Sequence, residues 1–234
     1  AMLCYTGIIH LFYEYGNMFN HYNKDEVINL EFEKEKLLNL IQEISCFKTI
    51  NISEIPDIDL YMDQVTTFME DKLKGFKRTK EDKILTKTMI NNYTKNDIIP
   101  SPIKKKYSKE HMMLLILTYH MKQILSISDI HYLLSPITEK VDMEKIAPME
   151  IERLYNSFLE IQSREYAAFP EKMLKMIDEL EESIHPNEET KDTLMLYSII
   201  FHLIIQSYMK KKLAENLIDD FFIEKNDGKN KKQK

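Results

Sequence analysis

Residues 84–134 read ILTKTMINNYTKNDIIPSPIKKKYSKEHMMLLILTYHMKQILSISDIHYLL. The punctuation divides this stretch into three helices joined by short breaks. Thr86 precedes a short amphipathic run, which predicts a helix over about Lys87–Asn96 with Thr86 as its N-cap. The run stops before Ile98-Ile99-Pro100, because the residue ahead of a proline avoids the helical region. A loop follows, Ser101-Pro102-Ile103-Lys104-Lys105-Lys106. Ser108 then opens a longer helix with an apolar face of Met113, Ile116, Leu117, His120 and Ile124. Ser126 caps one more short helix over 127–134, which Ser135-Pro136 is expected to end.

These blocks, in this order, resemble the MerR family of helix-turn-helix regulators. The corresponding pieces are Thr86 through Tyr93, then Ile98-Ile99-Pro100, then Tyr107-Ser108-Lys109-Glu110-His111-Met112, then Leu125-Ser126-Ile127 through Ile130 and Leu133-Leu134. The resemblance runs from roughly Leu60 to Leu134. It implies a helix-turn-helix, winged-helix-like module that binds double-stranded DNA, with the helix at 87–96 in the major groove and the loop at 101–106 as a wing. There are departures. About a dozen residues separate the preceding helix from the reading helix, the wing is short, and Asn91-Asn92-Tyr93 stands where the family carries an arginine. The chain also resembles an uncharacterised bacterial family, a domain of unknown function read as transcription regulators.

The chemistry fits that implied role residue by residue. A reading helix needs an exposed row of hydrogen-bonding side chains, and Lys87, Thr88, Asn91 and Asn92 can supply it. Asn can bond adenine twice, and Lys can reach guanine or phosphate. Met89, Ile90 and Tyr93 are the expected anchoring face. Lys104, Lys105 and Lys106 are expected on the phosphate backbone or in the minor groove, with Lys95 and Lys109 as further phosphate contacts.

Charge distribution agrees. The chain carries −6 overall, yet from Lys72 to Lys122 thirteen Lys or Arg face only Glu81, Asp82, Asp97 and Glu110, a local balance of +9. A localised basic stretch in an acidic chain is the footprint a DNA-binding module leaves.

Working outward, 234 residues with 44% hydrophobic and 30% charged residues describe a globular protein. Only 4 Gly and 7 Pro argue against an all-β fold, so the expected class is all-α. Residues 1–55 are expected to form a helical arm, with one helix over 24–47 carrying Val27, Leu30, Leu37, Leu38, Ile41 and Ile44 on one face. The module is expected over 56–136, with Pro56-Asp57 starting a helix that buries Tyr61, Val65, Phe68, Met69 and Leu73 and ends at Gly75. Residues 137–225 are expected to be a C-terminal helical bundle for dimerisation or effector response. It would hold one helix around Ile151–Leu159, a second around Met173–Ile184 and a third over 188–224. Residues 226–234 read as a polar, disordered tail.

The apolar run Leu194–Met209 is shorter than the roughly 20 residues of a membrane span, so it reads as the enclosed central helix of that bundle. The long helix around it motivates a homodimer. Cys4 and Cys46 form no CxxC pair, and the chain start lacks a basic leader region, so a cytoplasmic protein is expected. No phosphate-cradling glycine loop, HExxH or nucleophile elbow is present. The expectation is therefore a regulator with no metal and no cofactor, not an enzyme. The alternative is an interaction adaptor on the same scaffold without DNA binding.

Overall fold

The computed structural model describes residues 32–138, 148–183 and 190–223. Expectations for the arm before residue 32, for Ile184 and for the tail lie outside them. The described residues are mostly helical. In order they form α1 (Lys34–Ser45), a 3-10 turn (Ile52–Glu54), β1 (Leu60–Tyr61), α2 (Met62–Leu73), a 3-10 turn (Lys74–Phe76), α3 (Lys87–Lys95), β2 (Lys106–Tyr107), α4 (Lys109–Lys122), α5 (Ile127–Thr138), α6 (Pro148–Ser183) and α7 (Lys191–Ile218), closed by a π-helical turn at Asp219–Ile223. The all-α expectation holds, with one small antiparallel sheet added. It pairs Leu60 with Tyr107 and Tyr61 with Lys106.

The main core is built around α4. Every residue from His111 to Tyr119 is buried, not a single face. A helix apolar all round must be enclosed, and α4 is packed by α5, α6 and β2. Val65, Met69 and Leu73 of α2 and Ile90 and Tyr93 of α3 complete the same cluster. Each fully buried aliphatic side chain here contributes about 1.5–3 kcal/mol. Ile124, expected on the buried face, is instead exposed, because α4 ends at Lys122.

The other enclosed helix expected from the sequence is not enclosed. Within the apolar run of α7, Ile204 is 57% and Tyr208 67% exposed. Met195 and Ile199 pack with Ile41, Met176 and Ile177 in a second, smaller cluster. Ile218, at the far end, joins the main core. The run between them spans two anchorages and is largely uncovered.

Three boundaries also differ. First, Pro56-Asp57 does not start a helix. The chain bends at Asp57 and Ile58 and then enters β1, and α2 begins at Met62, where the Gln64 side-chain oxygen accepts the Tyr61 N–H at 2.9 Å. Of the face expected for this helix, Tyr61 is exposed and Val65, Met69 and Leu73 are buried. Second, α5 passes through Pro136. Proline has no N–H to donate to the carbonyl of Tyr132, and the Ser135 hydroxyl donates to that carbonyl at 3.2 Å instead. Third, the segments around Ile151–Leu159 and Met173–Leu180 belong to one continuous helix, α6. The helix runs through Pro170 between them, with helix-favouring Glu, Gln, Arg, Ala and Lys on both sides of the proline. In α1, Ile41 is buried while Leu38 and Ile44 are exposed.

The start of α6 belongs to the main core. Ile151 and Tyr155 are buried there, and the Tyr155 hydroxyl donates to the Ile50 carbonyl at 2.7 Å.

Candidate nucleic-acid interface

α3 forms where its sequence directs. Thr86 is extended, and its hydroxyl accepts the Met89 N–H at 3.1 Å, which caps the first turn. Ile90 and Tyr93 are buried and Met89 is half-buried, so this face anchors α3 to the core. At the far end Asp97 adopts a left-handed conformation (φ 52°), and the Ile98 N–H closes back on the Tyr93 carbonyl at 3.0 Å. The opposite face leaves Lys87, Thr88, Asn91, Asn92 and Lys95 exposed in one strip.

The loop at 101–106 is a tight hairpin. Ile103 and Lys106 face each other as an antiparallel bridge, and the Lys106 N–H donates to the Ile103 carbonyl at 2.9 Å. Between them Lys104 (φ 49°) and Lys105 (φ 65°) are both left-handed, the backbone of a two-residue type I′ turn. Both side chains are exposed. The Lys106 ammonium lies over the Tyr61 ring, 5.2 Å from its centroid. Below the hairpin, Tyr107 is buried edge-on against His111, whose Nδ1 accepts the Ser108 N–H at 3.1 Å. Burial pushes the His111 pKa down, so it packs as a neutral ring.

The hairpin and the start of α3 converge at one end of α2. Tyr61, the residue before α2, pairs with Lys106. Asp63, in the first turn of α2, forms an ion pair with Lys87, the first residue of α3. Lys104–Lys106 and the N-terminal end of the α3 strip are therefore neighbours.

The remaining candidates stand differently. Lys109 lies in an ion pair with Asp57 and does not join the strip. The Asn92 side-chain oxygen accepts a bond from Asn96 at 3.1 Å, while the Asn91 side chain is exposed and makes no hydrogen bond among the described residues. The basic stretch is also less basic in three dimensions. Residues 54–71 hold Glu54, Asp57, Asp59, Asp63, Glu70 and Asp71 with no Lys or Arg. Five of these carboxylates pair with Lys72, Lys109, Lys87, Lys77 and Lys74 respectively, and only Asp59 does not. Lys72 holds the Glu54 carboxyl below its ordinary pKa, and Lys74 does the same to Asp71. Counted over 54–122 the balance falls from +9 to +3. The acidic run at 54–71, just ahead of the basic stretch, is the signal in the sequence that marks these partners.

Among the described residues no cluster of His, Cys, Asp or Glu could hold a metal ion, and no helix is long and apolar enough to cross a membrane.

Residues 50–158 match the family model described as a domain of unknown function, DUF1836. No curated protein and no solved structure matches the chain. The matched span opens at Ile50 and closes just past Tyr155, the two residues joined by the buried hydroxyl bond.

Proposed function

We propose that this protein is a cytoplasmic transcription regulator whose residues 56–136 bind double-stranded DNA as a MerR-like helix-turn-helix. α3 enters the major groove, with Asn91, Asn92 and Thr88 toward base edges and Lys87 and Lys95 toward phosphates. The hairpin sets Lys104 and Lys105 on the backbone as a wing, and Lys109 acts as a positioning residue at the rim.

The observation that carries this reading is the hairpin tip. Left-handed positions favour Gly, Asn and Asp, and each other residue held there costs about 1–2 kcal/mol. Two consecutive lysines sit there, exposed, beside the N-terminal end of the reading helix. Strain of this kind concentrates at functional sites. Phosphate binding gives a reason for two lysines where Asn-Gly would make the better turn.

Binding of the purified protein to duplex DNA from upstream of its own gene, followed by fluorescence anisotropy against a scrambled duplex at two salt concentrations, tests the reading. Tight, sequence-preferring binding that weakens with salt is expected. Each phosphate contact contributes about 0.9 to the slope of log K on log salt, so Lys104/Lys105/Lys106→Ala lowers that slope by about 2–3.

The second reading is an interaction adaptor. It is favoured by the pairing of Lys87 and Lys109 with Asp63 and Asp57, which spends two candidate phosphate contacts inside the protein. Absence of even weak, salt-sensitive binding to either duplex selects it.

A further inference from the structure

From Thr193 to Met209 the chain has no Asp, Glu, Lys or Arg. In α7 Met195 and Ile199 are buried, and most of the rest of this run is left exposed by the other described residues. Tyr197, Ile200, Ile204 and Tyr208, spaced three or four apart, form one exposed stripe, flanked by Leu203 and Ile205 and continued by Met209, Leu213 and Leu217. Roughly half-exposed residues of this size leave on the order of 800 Å² of apolar surface, the share of one partner in a standard stable interface. It also exceeds the roughly 300–600 Å² patch that a typical monomer exposes.

We propose that this face is a two-fold interface with a second copy of the chain, the two α7 helices lying antiparallel. The charges at the two ends of α7 argue for this occupant and this direction. At its start, the Phe32 N–H donates to Asp192 at 3.1 Å and Lys34 pairs with Glu181 at 3.1 Å. Residues 32–34 thus tie Glu181, near the end of α6, to the start of α7 at Asp192, with Lys191 beside Asp192 and Lys175 at 3.9 Å from Glu179. Toward the other end, between Met209 and Leu213, stand Lys210, Lys211 and Lys212, with Glu215 within 3.9 Å of Lys211 and Lys212 and with Asp219 and Asp220 following after Ile218. Antiparallel pairing brings the lysines of each copy to the carboxylates of the other, at both ends of the seam. A parallel pair would set lysine against lysine. The surface is thus complementary to itself in apolar content and in charge, as a closed two-fold contact requires. No described helix has the apolar length to span a bilayer.

Sedimentation velocity of the full chain without DNA tests the interface independently of DNA binding. At about 10–50 µM the expected particle is a dimer of the 28.0 kDa chain. Ile204→Glu with Tyr208→Glu should weaken association by at least about a hundredfold. Helical circular dichroism should stay unchanged, because both side chains are already exposed. Lys211→Glu with Lys212→Glu should weaken it less, and adding Glu181→Lys with Glu182→Lys should restore it. A monomeric parent chain overturns the proposal and gives the face to residues 1–31 or to another protein. A dimer indifferent to the Ile204 and Tyr208 changes overturns it equally, since the interface then lies elsewhere.

Discussion

Lys104 and Lys105 set stability against function at single residues. Replacing them with Asn-Gly relieves two left-handed backbone positions without touching the core. The Lys104→Asn/Lys105→Gly variant should gain about 2 kcal/mol in urea unfolding, the relief at two positions less the entropy cost of the added glycine, while losing DNA affinity. A variant that loses both was held by contacts other than turn geometry. His120 makes the second argument at this scale. Its ring lies among Phe76, Phe158 and Tyr119, with centroids at 5.0, 5.2 and 5.4 Å. Burial pushes its pKa down to about 4 from 6.5. The unfolded chain therefore takes up this proton first as pH falls. The stabilisation is complete above pH 6.5 and drains away toward pH 4, by up to about 3 kcal/mol. His120→Leu should flatten the stability profile between pH 7 and pH 4 by up to that amount, measured by denaturant midpoints at each pH.

At the scale of elements, what was legible in the sequence depended on where the signal came from. Local chemistry was readable. Thr86 caps α3 as its position suggested, Ser126 exchanges bonds with Asp129 at the head of α5, and the break before Pro100 falls where expected. Features decided by distant partners were not. The apolar runs of α4 and α7 look alike, and only the arrangement of their neighbours buries one and exposes the other. The hairpin register needs Leu60 and Tyr61 alongside, more than forty residues upstream. The ion pairs of Lys87 and Lys109 with Asp63 and Asp57 were equally hidden. Pro136 shows the limit of a local rule, because Ser135, one residue away, occupies the orphaned carbonyl of Tyr132. Ser135 is buried, so Ser135→Ala should cost about 1–2 kcal/mol. In a Pro136→Ala background the cost should shrink, because the alanine N–H then serves the same carbonyl. Equal costs in both backgrounds would remove this account of how α5 tolerates its proline.

At the scale of the whole molecule, the two hydrophobic clusters are unequal, and they share α6. Ile151 and Tyr155 near its start belong to the main core, whereas Met176 and Ile177 near its end pack with Ile41, Met195 and Ile199. The main core draws almost all its buried residues from 50–155; Ile218 is the exception, with half-buried Phe222 and Ile223 beside it. A fragment of residues 47–166 keeps Phe47 against Phe76 and the Tyr155 bond to Ile50, and it loses the smaller cluster entirely. Removing one fully buried Ile and two half-buried neighbours should cost about 3–5 kcal/mol. A domain of this size commonly has about 5–15 kcal/mol to lose. The fragment should therefore still unfold cooperatively in urea, at a lower midpoint than the full chain. It should also stay monomeric, since it lacks the exposed stripe of α7. If it binds DNA, it should do so with the same salt slope per chain but without the gain that a two-fold dimer receives from paired half-sites. A fragment with no cooperative transition would mean that α7 is integral to the main core through Ile218, and that the two clusters fold as one unit.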